Sequence, residues 1–311
     1  MGKLSRKEFL KQVGIIGAAL AVPEIIRDFA SQAFAEGTAG KSLVVVAQGD
    51  DPKAMVKAAV NGLGGMSKFV KKNSVVAVKP NIGWNREPEY AANTNPEVVA
   101  GVVEMCFEAG AKKVKVFDRT CDNPKMCYKN SGIEDAARKA GAEVEQIGAK
   151  KNVNKKAFRD VLIPNGESMK SWEVYSSALD CDVFINVPIA KHHGSSQLTL
   201  GFKNLMGIVG GNRGKWHEDL DSYFADINSV VKVDLSIIDA YRILLRHGPQ
   251  GGDLEDVKLE KKIIASADRL AADACAATLF GIKSLPYMER AHRLGLGQYE
   301  PAKIEIRKIN A

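Results

Sequence analysis

The chain has 311 residues, enough for one large domain or two smaller ones, and its composition is 45% hydrophobic and 26% charged. These proportions are typical of a folded protein and exclude a collagen-like, disordered or low-complexity chain. The net charge of +7 suits an anionic small ligand or an acidic membrane surface, whereas few aromatic residues and no long basic tract argue against nucleic-acid binding.

The first 35 residues have the three-part layout of an export signal. A basic segment precedes a weakly apolar stretch over Val13–Val22, and a small-residue site at Ala33–Ala35 follows. The segment around Arg6 and Lys7 is similar to a twin-arginine signal, with lysine in place of the second arginine. We predict a signal peptide over 1–35, the twin-arginine export machinery as a partner, and a periplasmic protein that an uncleaved signal would tether to the membrane. The alternative is an amphipathic N-terminal helix of a cytoplasmic protein.

From residue 42 onward, short β-branched runs alternate with helical spacing, which predicts an α/β fold with a mainly parallel, doubly wound sheet. The strands are predicted at 42–47, 74–79, 113–117, 143–147, 182–187, 234–239, 262–265 and 303–309. The helices are predicted at 51–72, 95–109, 132–140, 197–208, 220–231, 268–281 and 284–294. Residues 148–178 interrupt the alternation and resemble an inserted β-hairpin near 158–176. The region 42–310 is therefore predicted to be one extended domain or two lobes that share a cleft.

Polar side chains follow several predicted strands at their carboxyl ends, which is where ligands bind in open α/β sheets. Lys79 and Asn81 follow one strand and Asp118 follows another, whereas Asp239 ends a third with His247 shortly after it. Because functional residues concentrate on such loops, we predict a site at this edge of the sheet.

The segment 191–217 holds three of the five histidines, a glycine pair and four cationic side chains. Lys79, Lys191, Lys203 and Arg213 near a glycine-rich loop predict the binding of a carboxylate or a phosphate. The stretch GGNRGKW lacks the Ser or Thr of a P-loop, which disfavours an ATPase. A desolvated lysine among cations can also act as a general base near neutral pH.

Two histidines of this segment are candidate metal ligands. His193 and His217 could supply imidazoles to a transition metal, with Asp118 or Asp239 as a further ligand. Adjacent His192 and His193 point to opposite sides of a regular strand, so one of them is expected to face the cleft. The alternative is that these histidines are hydrogen-bonded residues of a loop or of the core.

The five cysteines fit neither a disulfide scaffold nor a ferredoxin-type cluster motif. Cys121 and Cys127 lie six residues apart in a predicted loop, which allows a disulfide after export or an unusual metal cluster. Cys106 and Cys275 lie in apolar helical segments and are predicted to be core residues.

Several motifs, in order, resemble the DUF362 family of bacteria and archaea, which has no assigned general activity. They are KPN at 79–81, DVFINVPIAKHHG at 182–194 with LTLGFKNLMGIV at 198–209, His217, VDLSIIDAYRIL at 233–244 with a following GPQGG, and ADRLAADACAATLFG at 267–281. The resemblance extends over about 42–310. Many relatives carry a ferredoxin-like iron–sulfur module whose motif is absent here, so a redox partner protein is the weaker expectation.

A fainter similarity is to the lactate-racemase-like nickel-pincer proteins. His193, Lys203 and His217 occur in an order comparable to theirs. This similarity implies a metal-centred cofactor in the cleft, although likeness of fold does not carry function by itself.

These observations predict an exported enzyme that acts on a small anionic substrate through a Lys/His-lined cleft, with or without a metal-centred cofactor. The candidate catalytic residues are His193, Lys203, His217, Lys191 and Asp239, and the candidate substrate-binding residues are Lys79, Asn81, Asp118, Asn204, Arg213 and His247. The alternatives are a periplasmic protein that binds an anion or a metal complex without turnover, and a redox or iron–sulfur-associated partner.

Overall fold

The computed structural model of the protein describes residues 41–148 and 157–311, so the predicted signal peptide at 1–35 lies outside the described residues. The strands are β1 (Ser42–Gln48), β2 (Val75–Pro80), β3 (Lys113–Arg119), β4 (Glu143–Ile147), β5 (Phe158–Leu162), β6 (Ser171–Tyr175), β7 (Val183–Val187), β8 (Ile189–His193), β9 (Gln197–Thr199), β10 (Leu235–Leu244), β11 (Val257–Ser266) and β12 (Ile304–Asn310). The α-helices are α1 (Pro52–Gly62), α2 (Pro96–Glu108), α3 (Pro124–Asn130), α4 (Ile133–Lys139), α5 (Ser176–Asp180), α6 (Gly201–Asn204), α7 (Leu220–Val230), α8 (Arg269–Ala277) and α9 (Pro286–Arg293).

Ten strands form one mixed sheet in the order β12-β1-β11-β10-β7-β2-β3-β4, with β8 paired to both β10 and β9. All neighbours from β10 to β4 along this order are parallel. Strand β11 runs antiparallel to both β1 and β10, and β12 is parallel to β1. The predicted α/β fold with a mainly parallel sheet is confirmed.

Helices cover both faces of this sheet, as a doubly wound fold requires. On β1, Val45 and Ala47 belong to the core beneath α1 and α2, whereas Val44 and Val46 belong to the core on the opposite face with α8. Strands that are covered on both sides keep apolar residues at successive positions. For this reason, the strands can be identified in the sequence as uninterrupted β-branched runs.

The predicted helix at 51–72 is wrong beyond Gly62, where α1 ends. The helix begins as expected, because the Asp51 carboxylate accepts hydrogen bonds from the first free backbone N–H groups. It ends because Gly64 and Gly65 both adopt positive φ angles, of 104° and 85°, which turn the chain away from the helix axis.

The predicted helix at 197–208 is wrong in its first three residues, which form β9. The rest consists of α6 followed by a 3₁₀ turn. The buried Asp273 carboxylate accepts hydrogen bonds from the backbone N–H groups of Gly201, at 2.7 Å, and Phe202, at 3.0 Å. This contact fixes the short turn that carries Lys203 toward the sheet edge.

The inserted hairpin near 158–176 is confirmed in the described part of that region, where β5 and β6 pair antiparallel. The hairpin also supports the glycine-rich loop. The Gly210 N–H donates to the Glu173 carbonyl oxygen at 2.8 Å, and the Trp172 indole N–H donates to the Gly210 carbonyl oxygen at 3.2 Å. Within 41–148 and 157–311, no helix combines the length and the apolar character needed to cross a membrane.

Candidate functional site

A cavity of about 800 Å³ lies at the carboxyl ends of β2 and β3, beside β8. Nine of the eleven predicted site residues line it: Lys79, Asn81, Asp118, Lys191, His193, Lys203, Asn204, Arg213 and His217. Residues that are far apart in the chain meet here for two reasons. Strand β2 pairs directly with β3, and the segment that leads from β7 into β8 lies at the same edge of the sheet.

The other two candidates, Asp239 and His247, are not among the residues that line this cavity. Asp239 is buried, and its carboxylate accepts hydrogen bonds from the backbone N–H groups of Asn95 and Tyr241, which is a structural role. Burial raises the pKa of Asp239 to about 6. The His247 side chain is 77% exposed and lies 2.6 Å from the Asp256 carboxylate, outside the cavity.

Lys79 at the end of β2 is fully buried, and three oxygen atoms surround its ammonium group. Its ammonium group contacts the Asp118 carboxylate at 2.8 Å, the Pro80 carbonyl oxygen at 2.7 Å and the Asn204 amide oxygen at 2.8 Å. The other Asp118 oxygen accepts from the Ile82 N–H at 2.6 Å. Burial lowers the pKa of Lys79, whereas Asp118 favours its charged form.

Close approach of the backbone at Gly207 is a condition for this ion pair. A Cβ atom at Gly207 would lie 1.7 Å from the Asp118 carboxylate and 2.6 Å from the Lys79 ammonium group. Real Cβ atoms do not approach polar atoms so closely, so only glycine fits here. Sequence reasoning missed Gly207, although it lies within the motif LTLGFKNLMGIV.

Lys191 on β8 is saturated in the same way by neutral oxygens. Its ammonium group donates to the Ala92 carbonyl oxygen, to the Pro249 carbonyl oxygen at 3.0 Å and to the Asn81 amide oxygen at 3.2 Å. Because these partners carry no charge, burial dominates and lowers the pKa of Lys191 to about 7.

Two arginines brace the glycine-rich loop against β3. Arg213 donates to the carbonyl oxygens of Arg119 and Thr120, at 2.8 and 2.7 Å. Arg119, which sequence reasoning missed as a site residue, donates to the carbonyl oxygens of Val209 and Gly211. Burial and the nearby Arg213 charge lower the pKa of Arg119 to about 10. Both guanidinium groups are thus hydrogen-bonded to the backbone of the cavity wall.

Lys203 is different from the other lysines of the cavity. Its side chain is buried, yet its ammonium group contacts only the Met206 sulfur at 3.4 Å and the face of the Phe224 ring at 5.0 Å from the centroid, among the described residues. Burial, and then the Arg213 charge, lower the pKa of Lys203 to about 8. The donors of this cation therefore remain available to a ligand.

His193 faces the same space as a neutral imidazole. Its Nδ1 atom accepts hydrogen bonds from the backbone N–H groups of Ser195 and Ser196, at 3.1 and 3.3 Å, so the proton of the neutral ring belongs on Nε2. Burial, and then the Lys203 charge, lower the pKa of His193 to about 3. As expected from strand alternation, His192 points elsewhere and accepts from the Gly248 N–H.

A hydroxyl without a partner completes this side of the cavity. Thr199 is 2% exposed, and its Oγ1 atom has no hydrogen-bond partner among the described residues. Sequence reasoning missed Thr199 because it assigned β9 to a helix. We call Lys203, His193 and Thr199 the open wall, and Lys79, Asp118, Asn204, Asn81 and Lys191 the saturated wall.

In the structure Cys121 and Cys127, for which the sequence allows a disulfide, are both free cysteines. Helix α3 buries Cys127 with its sulfur 3.7 Å from the Gly83 carbonyl oxygen, whereas Cys121 is exposed at the cavity rim and lies 3.4 Å from Arg213. Cys106 and Cys275 are buried in the core, as predicted.

The side chains here do not by themselves form a metal centre. The rings of His193 and His217 stack with centroids 6.5 Å apart. No group of three or more His, Cys, Asp or Glu side chains is arranged to hold a metal ion in the described part of the chain. Of the two carboxylates considered as a further ligand, Asp118 is paired with Lys79, and Asp239 accepts hydrogen bonds from the backbone outside the cavity lining.

The fold and the site define an α/β protein with a cation-lined cleft at the carboxyl edge of a parallel sheet. Residues 76–278 match the family model described as "Domain of unknown function (DUF362)", and the chain belongs to this family. A thylakoid-associated protein of Synechocystis is 27% identical over 253 residues, which cover 78% of this chain and 75% of that protein.

Among solved structures, the lactate racemase apoprotein from Thermoanaerobacterium thermosaccharolyticum is similar, with a TM-score of 0.48 and 10% sequence identity. The match covers 84% of this chain, which spans 59% of the length of the racemase chain.

Proposed function

We propose that this chain is an enzyme that binds a small organic anion in the cavity and exchanges a proton with it. The charge of the lining supports this proposal. The lining includes five cationic side chains and one carboxylate: Lys79, Arg119, Lys191, Lys203, Arg213 and Asp118. Because the carboxylate is neutralised by its own lysine, an excess of positive charge remains to attract an anion.

The observation that carries the proposal is the hydrogen-bonding state of Lys203. A buried ammonium group normally has oxygen acceptors, because desolvation without them is costly. The contacts of Lys203 are a thioether and an aromatic ring. An anionic oxygen in the cavity would supply the missing acceptor, and a pKa of about 8 lets the same group exchange a proton near neutral pH.

The other two residues of the open wall would orient the anion. The Nε2–H group of neutral His193 is a donor, and the Thr199 hydroxyl can donate or accept. The His193 ring is fixed by the backbone N–H groups of Ser195 and Ser196, so its donor needs no rearrangement when charge develops on a substrate oxygen. The proposed proton exchange uses no metal-centred cofactor, because the described residues offer a metal two stacked imidazoles and no third ligand.

The proposal also includes export to the periplasm through the twin-arginine machinery, with a redox protein as the weaker candidate partner. The proposal of export rests on the residue pattern of 1–35. Cell fractionation of the full chain tests this part, with an Arg6→Lys, Lys7→Gln variant expected to remain in the cytoplasm.

The site is tested with a panel of small carboxylates and phosphates on the full chain. Thermal shift and titration calorimetry measure binding, and NMR in D₂O measures exchange of carbon-bound hydrogen on each compound. We expect Lys203→Met to abolish both without lowering the melting temperature, because it removes a buried charge. Lys215→Met is the matched control, since Lys215 is an exposed lysine of the same segment outside the cavity lining.

Each outcome decides one part of the proposal. Binding without hydrogen exchange would make the chain an anion-binding protein without turnover. Unchanged binding and exchange in Lys203→Met would refute the assignment of Lys203.

A further inference from the structure

We propose that Lys203 is also a nucleophile, which condenses with the aldehyde or ketone carbonyl of a small anionic oxo compound. This inference rests on the proposed function, because the cavity must first hold the anion. It adds a substrate class, molecules that carry both a carbonyl and an acidic group, and a covalent step.

The first argument is that the contacts of the amine leave it free to react. A lysine whose donors are all bonded to oxygen must break those bonds before its nitrogen can approach a carbon atom. Lys79 and Lys191 are in that state, with three oxygen partners each. Lys203 would give up only a thioether contact and a ring contact.

The second argument is that the surroundings of Lys203 favour the unprotonated amine. A lysine becomes nucleophilic at neutral pH when it is desolvated or placed beside another cation. Lys203 is buried, and the charge of Arg213 adds to that effect. With its pKa lowered to about 8, roughly a tenth of the side chain is neutral amine at pH 7.

The step balances without an oxidant or a reductant. The amine lone pair forms a bond to the carbonyl carbon, and the C=O π electrons move to oxygen. Transfer of one amine proton to that oxygen gives a carbinolamine. Loss of the hydroxyl group with a second proton releases one water molecule and leaves a C=N bond to the lysine nitrogen.

The remaining residues of the open wall suit this chemistry. The Nε2–H group of His193 can donate a hydrogen bond to the carbonyl oxygen, which makes the carbon more electrophilic. The Thr199 hydroxyl, buried and without a partner among the described residues, can bond to the carbinolamine oxygen or to the acidic group. Both side chains line the cavity together with Lys203.

The test uses glyoxylate as the probe on the full chain, with sodium cyanoborohydride to reduce any C=N bond to a stable carboxymethyl-lysine. Peptide mass spectrometry then locates the modified lysines. At neutral pH we expect Lys203 to be modified at least about tenfold faster than exposed Lys215, because burial raises the fraction of Lys203 that is neutral amine and the cavity holds the probe beside it. Glycolate, which has a similar size and charge but no carbonyl, should slow the reaction at Lys203 and leave Lys215 unaffected.

The outcomes separate this inference from the proposed function. If glycolate raises the melting temperature but Lys203 reacts no faster than Lys215, the nucleophile is refuted and the anion site stands. If glycolate has no effect and Lys203 still reacts rapidly, Lys203 is a reactive amine, but the anion site and the proposed class of anionic oxo substrates are refuted. If neither effect occurs, both fail. Lys203→Arg should still be stabilised by glycolate but should form no adduct. If that variant does not fold, the comparison of Lys203 with Lys215 in the wild-type chain still tests the inference.

Discussion

The saturated wall and the open wall of the cavity contain the same functional group in opposite states of hydrogen bonding. The ammonium groups of Lys79 and Lys191 each have three oxygen partners, whereas that of Lys203 contacts sulfur and an aromatic ring. Unpaired buried donors are costly, so each state requires a physical reason. The saturated lysines hold loops together, and the open lysine is where a ligand would be bound. The predictions below test this division of roles, beginning with the largest effect.

The saturated wall should respond to mutation mainly through stability. Lys79→Met removes the partner of a buried carboxylate, and breaking a buried ion pair in this way costs about 3–5 kcal/mol. We expect a loss of that size in the free energy of unfolding, measured by chemical denaturation. Lys203→Met, which leaves no carboxylate unpaired, should cost far less.

A double variant provides the control for this prediction. Adding Asp118→Asn to Lys79→Met removes the unpaired charge while keeping an oxygen for the Ile82 N–H group, so the double variant should be more stable than Lys79→Met alone. A Lys79→Met protein as stable as wild type would show that the saturated wall does not hold the fold, and the contrast between the two walls would then be lost.

The open wall should respond through the pH dependence of anion affinity. The ammonium form of Lys203 is present below its pKa of about 8 and is lost as the pH rises through that value. Affinity for a bound anion should therefore be constant below the pKa and fall above it, by up to about tenfold per pH unit. Titration calorimetry between pH 6 and 10 measures this fall in affinity. These two pH values lie roughly two units below and above the pKa of Lys203.

Lys203→Arg separates this effect from the other titrating groups. Its guanidinium keeps its charge over the whole range, so the fall in affinity should disappear. Lys191, whose pKa is about 7, is unchanged in the variant. If the affinity of Lys203→Arg still falls in the same pH range, the saturated wall rather than the open wall controls binding.

Much of the fold could be predicted from the sequence, because the physical signals are local. Uninterrupted β-branched runs gave the parallel strands, and the Asn95-Pro96 pair marked the start of α2. The position of the site at the sheet edge followed from the general rule that ligands bind beyond the carboxyl ends of the strands in open α/β sheets. The strands β8 and β9 were missed because they are short and include polar residues such as Lys191 and Thr199. Strand β8 pairs with β10, and β9 pairs with β8.

The division between the two walls could not be predicted, because it depends on contacts between distant segments. The acceptors of Lys191 include backbone oxygens of Ala92 and Pro249, 99 and 58 residues away in the chain. Backbone oxygens are present at every residue and leave no mark in the sequence. Lys79, Lys191 and Lys203 were therefore equivalent candidates until the structure showed which donors were already used.

The smallest predicted effect concerns a residue that the sequence placed in the site and the structure does not. His247→Ala should leave anion affinity within about twofold of wild type and lower stability only slightly, because the His247 side chain is 77% exposed and lies outside the cavity. The Asp256 carboxylate keeps Arg246 at 3.0 Å, and the neighbouring loop remains held by the Gly248 N–H bond to His192 and by the Pro249 bond to Lys191. Titration calorimetry on this variant is informative because the loop of His247 adjoins the saturated wall. A large loss of affinity would mean that residues outside the cavity contribute to anion binding through the saturated wall. Unchanged affinity would mean that the open wall alone recognises the anion.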